Sequence, residues 1–190
     1  MTRKEQKEMR QRQIMMKALE LFVTKGFSET KISDIAEALG ISVGLLFHYY
    51  ESKEALYRAL VEMGLENTKK PEGIEFSEPL EYFERVTEAL FGAAEKQPWV
   101  FRMFVLMSQA RRQGIPEDIR QKALSADQVG FSAEIIKRGQ AEGTVREGDP
   151  LALSFTFWCS IQGIMEQHLV TPEIPLPEPG WVTAILRKQA

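Results

Sequence analysis

The chain has 190 residues, 44% of them hydrophobic and 27% charged, which is enough for one domain or two small ones with a self-sufficient core. Its single cysteine, Cys159, excludes an intramolecular disulfide, so a reducing, cytoplasmic setting is expected. A net charge of −3 argues against a surface that is everywhere a receptor for polyanions.

Charge is unevenly placed along the chain. Over residues 1–31, eight bases (Arg3, Lys4, Lys7, Arg10, Arg12, Lys17, Lys25, Lys31) face four acids (Glu5, Glu8, Glu20, Glu29), whereas residues 71–190 hold 12 bases and 17 acids. One end is suited to phosphates and the remainder is not, as expected when a small module binds nucleic acid and a larger one does something else. The longest apolar stretch, Leu151–Met165, is 15 residues long and is broken by Ser154, Thr156, Ser160 and Gln162, short of the roughly 20 that span a bilayer. The polar run Arg3–Gln13 stands where a signal peptide would place its apolar core. Neither a membrane nor secretion is expected.

Apolar residues recur at period 3.6, which predicts an all-α fold. A first helix is predicted over Lys7–Lys25, with Ile14, Ala18, Leu21 and Phe22 inward and Gly26 as its stop. A second, capped by Thr30, places Ile32, Ile35, Ala36 and Leu39 inward and ends at Gly40. Ser42 is a good N-cap for a third, whose Leu46, Phe47 and Tyr50 point inward. Ser52 caps a fourth, Lys53 to about Glu66. Periodicity then lapses over Asn67–Pro79, the expected boundary between an N-terminal domain (1–66) and a C-terminal one (67–190). Further helices are predicted at 79–96, 98–112, 116–142 and 150–169, with Pro98 and Pro116 at starts, where a missing N–H costs nothing. The run 171–180 reads as an extended spacer, and a last short helix is predicted to dock through Trp181, Ile185 and Leu186.

Residues 31–50, KISDIAEALGISVGLLFHYY, set a short helix, a tight turn at Gly40-Ile41-Ser42 and a second short helix in succession. That is the layout of a helix-turn-helix, whose second helix lies in the major groove while the first crosses the backbone. Two short helices joined by glycine also occur in helical cores that bind nothing, so spacing alone leaves both readings open. The surrounding residues sharpen the comparison: Ile14-Met15, Ala18-Leu19, Leu21-Phe22, Gly26-Phe27, Thr30, Ile35-Ala36, Gly40-Ile41-Ser42, Gly44, Leu46-Phe47, Tyr49-Tyr50, Ser52-Lys53-Glu54 and Leu56. In this combination the run from Ile14 to Leu56 resembles the DNA-binding domain of the tetracycline-repressor (TetR) family of bacterial regulators.

The resemblance implies a helix-turn-helix domain followed by a helical body for effector binding and dimerisation. It implies that Thr30 meets a backbone phosphate, and that Ser42, Val43, Gly44 and Leu45 form the turn of the recognition helix facing base edges. His48 and Tyr49, one turn on, would donate to phosphate oxygens, and Lys53 would pair with phosphate through charge. The basic stretch Arg3–Arg12 would enter the adjacent minor groove or follow the backbone. Val43 and Leu45 depart from the polar or small residues common at those positions, so thymine-methyl contact and shape would carry more of the readout. The plainer alternatives are a solvated His48, a Tyr49 that only packs and a frayed helix end at 3–12.

Aromatics and methionines cluster in the C-terminal body, which suits either a packed core or an adaptable apolar cavity. By resemblance, an effector pocket would be lined by Phe83, Trp99, Met103, Phe104, Met107 and Trp158, with Gln162, Gln109 or His168 orienting a ligand. The segments 116–142 and 150–169 would form a four-helix bundle with a second copy, through Phe131, Ile135, Ser154, Trp158, Ile161 and Gly163. The expected partners are therefore a double-stranded DNA operator, a small-molecule effector and a second copy of the chain. No metal or cofactor is expected, since His48 and His168 are the only histidines and no Cys-His spacing of a zinc site occurs. Two rivals remain: a helical enzyme, for which only Glu166 beside His168 speaks, and a small-molecule-binding protein whose helix-turn-helix is vestigial.

Overall fold

The computed structural model describes residues 2–68 and 76–188. Among these residues the chain is all-helical; its extended pairing is a single isolated bridge between Val145 and Arg187. Of the expected boundary stretch Asn67–Pro79, residues 69–75 lie outside the described residues.

The chain divides into two compact units, one of residues 1–68 and 102–125, the other of residues 69–101 and 126–190. This differs from a boundary at 66/67, because the helices after Arg102 pack with the amino-terminal ones. The first unit holds α1 (Arg3–Lys25), α2 (Ile32–Ala38), α3 (Val43–Tyr49), α4 (Lys53–Thr68), the larger part of α6 (Trp99–Gln109) and α7 (Glu117–Leu124). Helix α1 starts earlier than periodicity predicts, because Thr2 and Glu5 form a capping box: Glu5 N–H donates to Thr2 Oγ1 at 3.2 Å and Thr2 N–H to Glu5 Oε2 at 2.8 Å. Ile14, Ala18, Leu19 and Phe22 of α1 are buried with Ile35, Leu46, Leu56, Tyr57 and Leu60, each large side chain contributing about 1.5–3 kcal/mol by leaving water. Phe22, Phe27 and Tyr57 form an aromatic cluster with centroid separations of 4.9–5.9 Å.

Helix α7 is fastened to α4 by two ion pairs spaced one turn apart, Arg58–Asp118 at 2.7 Å and Glu62–Lys122. Between them Ile119 and Ala123 are buried. From the end of α6, Gln109 Nε2 donates to the Val23 carbonyl of α1 at 3.2 Å. Within the first unit, α4 therefore carries α7 with it. The single helix expected over 116–142 is two: Ser125 Oγ closes the last turn of α7 on the Lys122 carbonyl, and Asp127 caps α8 (Gln128–Ala141) by accepting from Gly130 N–H at 2.8 Å. A stop and a start three residues apart break the run that the apolar spacing joins.

The second unit is built on α5 (Pro79–Lys96), α8, α9 (Pro150–Val170), α10 (Pro179–Thr183) and a closing 3₁₀ turn, Ala184–Leu186. Helices α8 and α9 pack most extensively, and polar groups fix their register: Ser154 Oγ donates to the Val129 carbonyl at 2.8 Å, and Trp158 Nε1 donates to Ser132 Oγ at 3.0 Å. Gly139 on α8 lets Val145 and Pro79 press against the helix backbone, where a Cβ would overlap Val145. The terminal segment docks through Val182 and Leu186, whereas Trp181, the expected anchor, is 67% exposed. Among the described residues, no single helix is long and apolar enough to cross a membrane.

Candidate nucleic-acid interface

The turn between α2 and α3 follows from its residues. Helix α2 ends on Gly40, whose φ of +63° is costly for any residue with a Cβ. Gly40 N–H donates to the Glu37 carbonyl at 3.0 Å and Ile41 N–H to the Ala36 carbonyl at 3.0 Å, the pair of bonds that closes a glycine-terminated helix. Ser42 then takes extended backbone angles and caps α3, its Oγ accepting from Leu45 N–H at 3.1 Å. The two helices meet at 105°, within the range of a helix-turn-helix.

Burial sorts the residues of α3. Leu46 is fully buried and Tyr50, just past the helix end, is 7% exposed; burial pushes the Tyr50 phenol above its usual pKa and keeps it protonated. Ser42, Val43, Gly44, Leu45 and His48 all lie on the exposed side, and Tyr49 is half-buried with its ring edge-on to His48 at 5.7 Å. Phe47 corrects the expectation of a core residue, being 47% exposed. It stands one turn beyond Val43, so a count of i+4 from the first position expected to face bases, rather than its aromatic character, is the signal that finds it exposed.

Two expected phosphate contacts are turned inward. Thr30 is wholly buried; its Oγ1 donates to the Gly26 carbonyl at 2.7 Å and lies 3.2 Å from that of Leu21, and its N–H also donates to Gly26. The hydroxyl thus braces the α1–α2 turn from inside, and the residue that precedes α2 at its N-cap is Lys31. Lys53 directs its ammonium onto the Phe27 carbonyl at 2.8 Å and the Ser28 carbonyl at 3.4 Å, over the face of Phe27, so its charge is spent holding the same turn. The basic stretch Arg3–Arg12 is helical, about 10–12 Å across with its side chains, and a helix of that width does not enter a minor groove about 6 Å wide. Lys25 is paired with Asp34 at 3.0 Å and holds that carboxyl below its usual range, while Lys31 stands exposed beside α2.

The six residues expected to line an effector pocket, with Gln162 expected to orient a ligand, fall in both units. In the second, Phe83 is fully buried edge-on to Phe157, and Trp158 is tied to Ser132, so both serve the core. Trp99 is half-buried with Nε1 on Gln97 Oε1 at 2.9 Å, and Gln162 Nε2 donates to Glu166 at 2.6 Å. In the first, Met103 and Met107 are buried against Gly64, and Phe104 is half-buried. A cleft of about 270 Å³ in the second unit is lined instead by Gly163, Ile164, Gln167, His168, Thr171 and the run Ile174–Pro177. Glu166 is engaged by Gln162, and His168 lies against Phe101 with centroids 5.0 Å apart, so the pair that spoke for an enzyme is occupied in two different contacts.

Residues 14–60 match the family of bacterial regulatory proteins described as tetR. An uncharacterised HTH-type transcriptional regulator of Bacillus subtilis, YfiR, is 28% identical over 180 residues, covering 90% of this chain and 85% of the relative. Among solved structures, the TetR-family regulator PfmR of Thermus thermophilus is 25% identical with a TM-score of 0.70, covering 93% of this chain and 95% of that one. A gamma-butyrolactone receptor described as ArpA-like shares the fold at a TM-score of 0.65 and 18% identity, with 95% of each chain covered. A turn closed by glycine, an exposed helix after it and a likeness that runs on through the helical body lead to one assignment: residues 14–60 form a DNA-binding domain of the tetR kind, and the chain as a whole is similar to transcriptional regulators of the TetR family.

Proposed function

We propose that this regulator is a repressor that acts in the cytoplasm as a homodimer on a palindromic operator and is released by a small apolar or aromatic effector. The observation that carries the reading is the exposed face of α3 set at 105° to α2, with positive charge concentrated in the residues that precede it. One such head covers too little duplex to be specific alone. Two should meet half-sites one helical turn apart, ~34–36 Å, or a multiple of it.

Of the residues expected against a second copy, Ile135, Ser154, Trp158 and Ile161 are buried within the second unit, and support for the second copy comes instead from the outer stripe of α9. Leu151 and Phe155 are 56% and 60% exposed, and Cys159 and Gly163 continue the same stripe at successive turns with Phe131 of α8 exposed at 39%. Apolar side chains of this size left in water are normally covered by a partner. Among the described residues no atom lies within 4 Å of where a Cβ on Gly163 would stand, which permits close helix approach. For the effector, Trp99 and Gln162 are the expected lining residues of the second unit that are not committed to its core. Since α4 and α7 are fastened together, effector binding would move them jointly and reset the spacing of the two recognition helices. A coupling of ~1–3 kcal/mol suffices for a 5- to 150-fold change in DNA affinity.

The test is to titrate the full chain onto the duplex upstream of its own coding sequence at several salt concentrations. Specific binding with two chains per site, weakening steeply with salt, is expected. Absence of salt-dependent specific binding discards the repressor.

A further inference from the structure

We propose that the recognition helix reads its half-site chiefly through the C5-methyl groups of thymines, contacted by Val43, Leu45 and Phe47; this rests on the DNA-binding reading above. Successive helical residues turn by about 100°, so the order around the exposed side of α3 is Val43, Phe47, Gly44, His48, Leu45. Val43 and Leu45 are each 39% exposed and Phe47 47%. Apolar side chains therefore flank both edges of the face, and a glycine with open space beside it lies between them. The Ser42 hydroxyl accepts from Leu45 N–H as the cap of α3, which leaves His48 as the polar side chain at the centre of the face.

Such a face cannot satisfy the polar edge of a G·C pair. Pressing Val43 or Phe47 against guanine N7 and O6 would strip water from two acceptors and return no hydrogen bond. Thymine alone offers an apolar group in the major groove, and an apolar side chain over that methyl gains by removing both from water. The dent at Gly44 brings the helix backbone close enough for short side chains to reach it. Charge decides between duplex DNA and a protein ligand as the occupant: the face lies in the same unit as exposed Lys31 and the basic helical stretch Arg3–Arg12, which attract phosphates without regard to sequence. Attraction is thus supplied by the flanks and discrimination by the apolar face.

The experiment selects binding sites for the full chain from randomised duplexes, then replaces the thymines of each half-site one at a time by deoxyuridine, which deletes only the methyl. At the contacted positions affinity should fall about fourfold per methyl, with binding to random DNA unchanged. In Val43→Ala, Leu45→Ala or Phe47→Ala, the penalty at the matching position should shrink to within about twofold, a coupling that general loss of folding does not produce. Selected sites without thymine under α3, or equal affinity for thymine and deoxyuridine duplexes, overturn the inference and leave DNA binding standing. If no sequence is enriched, both fall, and capture of a protein segment by the same face would replace them.

Discussion

Replacing Thr30 by Val separates the buried role of this residue from the phosphate contact that its position in the sequence implies. Valine keeps the branched shape and removes only the hydroxyl, which is fully buried and donates to Gly26 O at 2.7 Å. The Gly26 carbonyl still accepts from residue 30 N–H at 3.2 Å, so the acceptor is not orphaned and the loss is that of one buried hydrogen bond, about 1 kcal/mol. For a chain of this length that lowers Tm by about 2–4 °C. Affinity for operator DNA, measured at least 20 °C below the transition, should stay within about twofold, because several kcal/mol of stability remain and the hydroxyl is buried against the Gly26 carbonyl. Thermal unfolding followed by circular dichroism and a fluorescence anisotropy titration on the same preparation decide it. An unchanged Tm with a fivefold or greater loss of DNA affinity would refute the inward placement of Thr30.

Lys53→Met should lower stability by roughly 1–2 kcal/mol through the lost bond to the Phe27 carbonyl, while the salt dependence of DNA binding keeps its slope; a slope reduced by about one per half-site would return Lys53 to the phosphates. Gly139→Ala sets a helix-propensity gain of about 1 kcal/mol against overpacking on Val145 and Pro79, which costs ~1–3 kcal/mol; the net is a Tm lower by a few degrees, and a higher Tm would show that α8 has room there. Glu81 accepts from Ser77 N–H at 2.8 Å and its hydroxyl at 2.9 Å, and pairs with Arg85, which together pull its carboxyl down from 4.5 to about 2. Because the folded value is the lower one, this stabilisation is complete above pH 4.5 and disappears as pH falls towards about 2. Urea unfolding across that window should fall more steeply for the native chain than for Glu81→Gln, and parallel curves would show that the contacts at Ser77 do not form in solution.

Much of the first unit was legible in the residues themselves. Period-3.6 spacing, Gly40 and the Ser42 cap specify two short helices and the turn between them with no distant contact, because caps and left-handed glycines act within a few residues. The direction in which Thr30 and Lys53 point was not legible, since their partners are carbonyls of the preceding turn that only folding brings within hydrogen-bond reach. Phe47 was misplaced for the complementary reason: aromatic character predicts burial on average, but a seven-residue helix buries one face, and Leu46 and Tyr50 already fill it.

The sequence by itself determined the helical class, the turn between α2 and α3, the concentration of positive charge at one end and the likeness to the TetR family over residues 14–60, all consequences of local pattern. Only the tertiary structure decided that residues 102–125 belong with the amino-terminal helices and that Trp158 directs its N–H to Ser132. The first outcome depends on pairs such as Arg58–Asp118 and Glu62–Lys122, sixty residues apart in the chain. Periodicity records which side of a helix is apolar, but it holds no information about which other helix will cover that side.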